Sequence, residues 1–267
     1  MIKTVEIADL TALFQMVSEQ EYRPDLKRYR NLFIYRGQPD AAFRMETSLQ
    51  RVCKDKKKEL EYSILQNFTK YAALEEPTVE RSVWHQLILG QHHGLPTRLL
   101  DWSYSPLIAL HFALTEDNYE MMDKHDCVVW RIDINELHKM LPGRYRAVEQ
   151  KSRTTVFSVE MLEEACGSLD QYDDDMDGER LVVIEPPSVD PRIANQYSFF
   201  SVIPSGMNDI EEFLNGSTSQ TVRYVIKKDL RWQIRDFLDH QNINERLIYP
   251  GLDGIARWLG RHYYVMN

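Results

Sequence analysis

The stretch QHHGLPTRLLDWSYSPLIALHFA, residues 91–113, decides how this chain is read. It runs from the end of one helix through a short strand to the start of another. Gly94 and Pro96 close the first helix, over 83–92, because glycine caps a helix C-terminus and proline cannot extend one. Leu99-Leu100 then reads as a brief buried strand. Ser105-Pro106 is a helix start with proline in the first turn, and Leu107, Leu110, Ala113 and Leu114 give that helix an apolar stripe. His92, His93, Thr97, Arg98, Asp101, Trp102 and Ser103 crowd the corner between them. Such a corner suits an anion, since the unsatisfied N–H groups of the next helix point outward there. The alternative is a plain turn and N-cap with Trp102 in the core. Nothing nearby has metal-ligand spacing, so no metal is expected.

Upstream, Asn31–Tyr35 reads as an apolar strand that ends at Arg36-Gly37. An arginine offers a planar fork of donors that matches phosphate oxygens, and a neighbouring glycine lets a ligand approach the backbone. The competing reading is a structural ion pair with a carboxylate. Residues 11–19 read as a short helix. The basic run Arg51, Lys54, Lys56, Lys57 and Lys58 opens a longer one, whose Leu60, Ile64, Phe68 and Tyr71 bury one stripe. That run is either an RNA-contacting edge or a solvated helix terminus.

Downstream, strands are expected at 127–134, 181–184, 198–203 and 222–226. Residues 169–179, with five aspartates and Glu179, read as a mobile, solvated acidic loop. Ser217-Thr218-Ser219 reads as a polar turn. The tail is helical, with Leu230, Ile234, Phe237 and Leu238 on one segment and Leu252, Ile255, Ala256 and Leu259 on another. Strands and helices mix without regular β-α-β alternation, so the fold class is α+β.

The 267 residues, 43% of them hydrophobic, are enough for one large core. A net charge of −9 argues against coating nucleic acid by bulk charge. Three scattered cysteines, Cys53, Cys127 and Cys166, suggest free thiols in a reducing compartment. Glu6 and Asp9 fall where a signal peptide needs an apolar core, and no stretch reaches the roughly 20 apolar residues of a membrane span. The expectation is a cytoplasmic protein with no membrane partner.

These patches together resemble the FRG domain family, named for a Phe-Arg-Gly motif. Tyr35-Arg36-Gly37 stands for that motif with the arginine kept. The run from Gln91 to Ala113 looks like the family's Gln-His-x-Gly-x-x-Thr-Arg-Leu-Leu-Asp-Trp signature. Arg192-Ile193 with Gln196 and Phe200 is similar to its third motif, with Ser198 where glycine is frequent. Leu247–Ile255 resembles its closing segment. The likeness runs from about residue 32 to 263, implying a single domain over 1–267 with an N-terminal helix (1–30) packed on it.

More distantly, the order of patches is similar to the arginine–serine–glutamate ADP-ribosyltransferases. Asp101-Trp102-Ser103 occupies their Ser-Thr-Ser place, and Pro106, Ala109, Phe112 and Ala113 follow at matching intervals. Their later glutamate is missing: its position falls near Gln196–Ser198. The resemblance implies a compact domain with a split mixed or antiparallel sheet flanked by helices, and NAD as substrate. It implies Arg36, Ser103 and Gln196 as catalytic groups, Arg36 holding the pyrophosphate. Tyr35, Gly37, His92, Thr97, Arg98, Asp101 and Trp102 would frame the dinucleotide. Asp101 or Glu185 would supply the missing carboxylate. The acceptor would be RNA or protein, and the enzyme a toxin or antiviral-defence effector with an inhibitor (antitoxin) touching the acidic 170–179 segment. A non-enzymatic nucleotide- or nucleic-acid-sensing module and an NAD hydrolase remain the alternatives.

Overall fold

Strands form where β-branched and aromatic residues cluster between breakers, and seven of them assemble into one mixed sheet. The computed structural model describes residues 1–76, 79, 82–188 and 190–266. Its strands are β1 (Lys3–Ile7), β2 (Tyr22–Arg23), β3 (Arg28–Tyr29), β4 (Phe33–Gln38), β5 (Leu99–Ser103), β6 (Cys127–Asp133), β7 (Val182–Ile184), β8 (Ser198–Val202) and β9 (Val222–Ile226). The short pair β2–β3 stands apart as a hairpin, and the sheet order is β1-β9-β6-β4-β5-β8-β7. All neighbours are antiparallel except β1 and β9. With helices on both faces, the fold is α+β.

The sheet is nearly divided between β4 and β5. β4 pairs with β6 at six positions and β5 with β8 at five, but β4 meets β5 at Tyr35 opposite Ser103 alone. Because side chains alternate across a strand, three cores follow. Phe33 and Tyr35 face Ala109, Leu110, Leu13 and Ile234 from helices Pro106–Ala113, Leu10–Val17 and Arg231–His240. Leu99, Val182, Phe200 and Val202 face Trp84, Tyr145, Leu162 and Tyr172 from a second group of helices. The opposite face is continuous, with Ile34, Leu100, Trp102, Trp130 and Val183 in one cluster.

Gly37 sets the contact between β4 and helix Pro106–Ala113. A Cβ there would stand 2.0 Å from the Ala109 carbonyl oxygen and 2.5 Å from the Ala113 nitrogen. The glycine does admit a close approach, but the group it admits is a helix backbone and not a ligand.

Several expectations are corrected. The acidic segment is no mobile loop: Leu169–Met176 is a helix that buries Leu169, Tyr172 and Met176, three side chains on one face. Three of its four aspartates are engaged, Asp170 by Tyr62, Asp173 by Arg98 and Asp175 by Arg144 and Tyr145. The first 30 residues are not one helix but β1, the helix Leu10–Val17 and the β2–β3 hairpin. Ser217 ends helix Ile210–Ser217, and the Ser219 and Gln220 N–H groups donate to Glu136. The basic run is broken by a 3-10 turn at Lys54–Lys56, with Lys54 at a positive φ of 52°.

The last helix, Leu252–His262, is docked by polar groups. Gly254 lies against the Tyr249 and Glu245 carbonyls, and Arg261 donates to both Asp239 and Glu245 at 2.6–2.8 Å. Its apolar residues Leu252, Ile255 and Leu259 face solvent. Among the described residues, no helix is long and apolar enough to cross a membrane.

Gly37→Ala should destabilise the fold by about 3 kcal/mol, read from the urea midpoint with the slope unchanged. A second prediction concerns acid. Burial opposes ionisation of Glu245, yet Arg261 outweighs it and pulls the carboxyl down from 4.5 to about 2. A depressed folded value means the contribution is complete above the ordinary value and is lost as pH falls toward 2. Thermal unfolding across that window should show a steeper loss for wild type than for Glu245→Gln.

Candidate functional site

β4 runs on through Gln38, so Arg36 lies inside a strand and not at its end. Its side chain leaves from the face that carries Ile34 and Trp102, opposite to Tyr35 and Ser103. Nη1 donates to the Asp101 carbonyl oxygen at 2.8 Å, across the line where β4 and β5 have stopped pairing. The Asp101 carboxylate lies 3.9 Å away and is 59% exposed. Burial pulls the guanidinium below its ordinary value, Asp101 opposes that, and Arg51 adds like charge. Nε is buried without a hydrogen-bond partner. Arg36 therefore replaces the missing strand pairing with a charged donor to a backbone oxygen, a bond worth about 1.5–3 kcal/mol.

Other expected site residues are drawn into the scaffold. Thr97 is buried, donating from Oγ1 to Gln91 Oε1 at 2.5 Å and accepting the Leu99 N–H. Gln91 in turn donates to Asp101 Oδ2 at 2.8 Å. Arg98 is buried, with Nε 2.8 Å from Glu61 and Nη1 2.7 Å from Asp173; its donors are spent inside the core. Trp102 is buried and donates to Ser201 Oγ at 2.9 Å, so its ring has no open face for stacking. Ser103 Oγ donates to the Gln196 carbonyl oxygen at 2.6 Å and accepts the Ser105 N–H. The Gln196 side chain donates to the Ile248 carbonyl at 3.2 Å. His92 sits 3.5 Å from Asp190, and burial, against the pull of Asp190, lowers its pKa. Glu185 lines a separate cavity of about 520 Å³ beside Ser158 and Glu160. The structure thus joins Arg36 to Asp101 and Ser103 to Gln196, with the Arg36 side chain leaving the sheet on the face opposite to Ser103.

The concavity at this junction lies on the Tyr35 side. A cavity of about 400 Å³ is lined by Tyr29, Arg30, Tyr35, Tyr104 and Tyr197, with Glu19 and the helix start Ser105-Pro106. Tyr35 is its buried wall; burial pushes its hydroxyl well above the usual range, with Arg131 opposing and Glu19 adding to the shift. Tyr104 follows directly on Ser103, and its N–H donates to the Tyr197 carbonyl at 3.0 Å. Tyr197 caps helix Pro191–Gln196 in the left-handed region at φ 48°, with the residue 62% exposed. A large side chain in that conformation is uncommon, and glycine usually serves there.

Sequence reasoning reached Tyr35 but missed Glu19, Tyr29, Arg30, Tyr104 and Tyr197. For Tyr104 and Tyr197 a signal existed: each is an aromatic residue immediately after an element end. Among the described residues, no group of three or more His, Cys, Asp or Glu side chains could hold a metal ion.

Tyr197→Gly should relieve the left-handed strain and raise stability by about 1 kcal/mol, measured by thermal unfolding. Arg98→Ala should cost about 3–5 kcal/mol by stranding Glu61 and Asp173, measured by urea unfolding.

No curated protein and no solved structure matches this chain. The model of the FRG domain family matches residues 31–121, from two residues before β4 through helix Pro106–Ala113 to Met121. That span holds both sides of the β4–β5 junction, together with Arg36, Gly37, Thr97, Arg98, Asp101 and Ser103; Arg192–Phe200 and Leu247–Ile255 lie beyond it. The similarity to the FRG domain thus rests on residues 31–121, about a third of the chain.

Proposed function

We propose that the cavity at the β4–β5 junction binds NAD and that the protein transfers its ADP-ribose to a macromolecular acceptor, RNA or protein. The observation that carries this reading is the cavity lining: four tyrosines, one arginine and one carboxylate around a helix start. NAD offers two planar rings, a pyrophosphate and a positively charged pyridinium, and each has a counterpart there. Tyrosine faces stack on planar rings. Arg30 and the first turn of helix Pro106–Ala113 attract phosphate. Breaking the nicotinamide–ribose bond builds positive charge on the sugar, as in glycoside hydrolysis, and a fixed carboxylate nearby lowers that barrier. Arg36 acts on this site indirectly, by holding β5 to β4 and so setting the width of the opening. A cytoplasmic transferase of this kind fits a toxin or antiviral effector held in check by an inhibitor protein.

A second reading, a nucleotide-binding module without turnover, is favoured by one specific observation. Ser103 already gives its one hydroxyl proton to the Gln196 carbonyl, so it has none to donate to a ribose, and one of the two Gln196 amide N–H groups is held by the Ile248 carbonyl.

Calorimetry with NAD, paired with chromatographic assay of released nicotinamide, separates the two. Binding with nicotinamide release, increased by an added RNA or protein acceptor, is expected for the transferase; binding without release selects the module. Tyr104→Ala should weaken NAD about tenfold, the worth of one lost ring contact. NAD that neither binds nor breaks down removes both readings.

A further inference from the structure

We infer that the tyrosine cavity contains a subsite for a planar organic cation, with Glu19 as its counter-charge. This rests on the reading above, in which the ligand carries a pyridinium ring, and it names the group that selects that ring.

Glu19 reaches the cavity from the segment between helix Leu10–Val17 and β2, far from every motif at the β4–β5 junction. A glutamate on a loop is ordinarily a flexible arm, but here it is fixed three ways. Its carbonyl accepts from Asn31 Nδ2 at 3.2 Å. One carboxylate oxygen pairs with Arg131 of β6, a buried cation. The other accepts from the Tyr224 hydroxyl of β9 at 2.5 Å. Both anchors belong to the sheet, so the carboxylate holds its position relative to Tyr35 on the neighbouring strand. A carboxylate has about four acceptor sites, and these anchors use only part of them. The side chain remains 40% exposed.

Around that charge stand Tyr35 as a buried wall and Tyr29, Tyr104 and Tyr197 as exposed rings. The face of an aromatic ring is negative and attracts a cation, all the more when the cation is desolvated. Four such rings and a fixed carboxylate in one cavity select for positive charge on a flat body. The backbone of Tyr197 supports this: it is held in a conformation that glycine would adopt more easily, and the exposed ring contributes little to the core. Arg30 lines the same cavity and repels an isolated cation, whereas it attracts the phosphates of a dinucleotide. The two charges together fit a ligand that is cationic at one end and anionic further along.

The test titrates three probes into the full chain: N1-methylnicotinamide, its neutral counterpart nicotinamide, and NAD. At least a tenfold preference for the methylated cation over nicotinamide is expected, and Glu19→Gln should abolish it. Arg30→Ala should strengthen N1-methylnicotinamide several-fold while weakening NAD, a sign reversal that a general loss of structure would not produce. Because Glu19→Gln takes the charge partner from buried Arg131, Tyr197→Leu serves as the second variant; it should reduce the cation preference with the unfolding temperature no lower than wild type. Equal binding of the charged and neutral probes overturns the inference, as does a preference untouched by Glu19→Gln and Tyr197→Leu. If NAD binds and the probes do not differ, the subsite fails while the functional reading stands. If the cation binds selectively and NAD does not bind, the subsite stands and that reading fails. Tetramethylammonium binding as tightly as N1-methylnicotinamide would overturn the planar part of the assignment.

Discussion

Everything at the centre of this protein depends on how closely helix Pro106–Ala113 can lie on β4, and a single missing side chain settles that. With no Cβ at Gly37, the helix backbone meets the strand backbone directly. The helix then occupies space that a wider separation would leave for side chains, and it begins just beyond the end of β5. The chain must therefore turn sharply at Tyr104-Ser105. β4 and β5 are neighbours that pair at one position only. The near-division of the sheet, the two separate helix layers on one face and the cavity at their junction all follow from that geometry.

An opening in a sheet leaves backbone donors and acceptors without partners, and such groups are costly when buried. Side chains close this opening. Arg36 donates across it to the Asp101 carbonyl, and at the end of β5 Ser103 donates to the last carbonyl of helix Pro191–Gln196. The same economy recurs elsewhere. Arg231 is buried against Glu116, Arg235 against His111 and the Ile243 carbonyl, and Arg261 against Asp239 and Glu245. A guanidinium suits this role because its planar fork serves several oxygens at once without losing its charge. In this fold arginine is first a structural staple, and an arginine beside a glycine is no sign of phosphate by itself.

That distinction separates what was legible in the sequence from what was not. The helix at 83–92, the helix start at Ser105-Pro106 and the strands at 127–133, 198–202 and 222–226 rest on local periodicity and punctuation, which tertiary packing does not alter. In the sequence the strand after Pro96 reads as Leu99-Leu100 alone, because Asp101 and Ser103 look like loop residues. They are strand residues, since pairing with β8 supplies the hydrogen bonds that composition does not advertise. The segment 169–179 misled for the reverse reason. Its aspartates look solvated, but Leu169, Tyr172 and Met176 fall on one helical face, and burying them gave Asp173 and Asp175 arginine partners. The motif residues were identified as a group, yet their division between opposite faces depends on the pleat of β4, and that needs the register as well as the motif.

The cavity was the least visible feature, for a physical reason. Glu19 and Arg30 come from the N-terminal segment, Tyr35 and Tyr104 from the domain match at 31–121, and Tyr197 from a helix end some ninety residues further on. No spacing rule links them. They meet because β9 and β6 carry the anchors of Glu19 to the Tyr35 side of β4, while β8 brings Tyr197 beside Tyr104. A carboxylate supplied in this way need not stand at a fixed interval from the arginine or the serine. The absence of an acid near Gln196 thus says little about whether negative charge faces the cavity, because the sheet delivers one from the opposite direction.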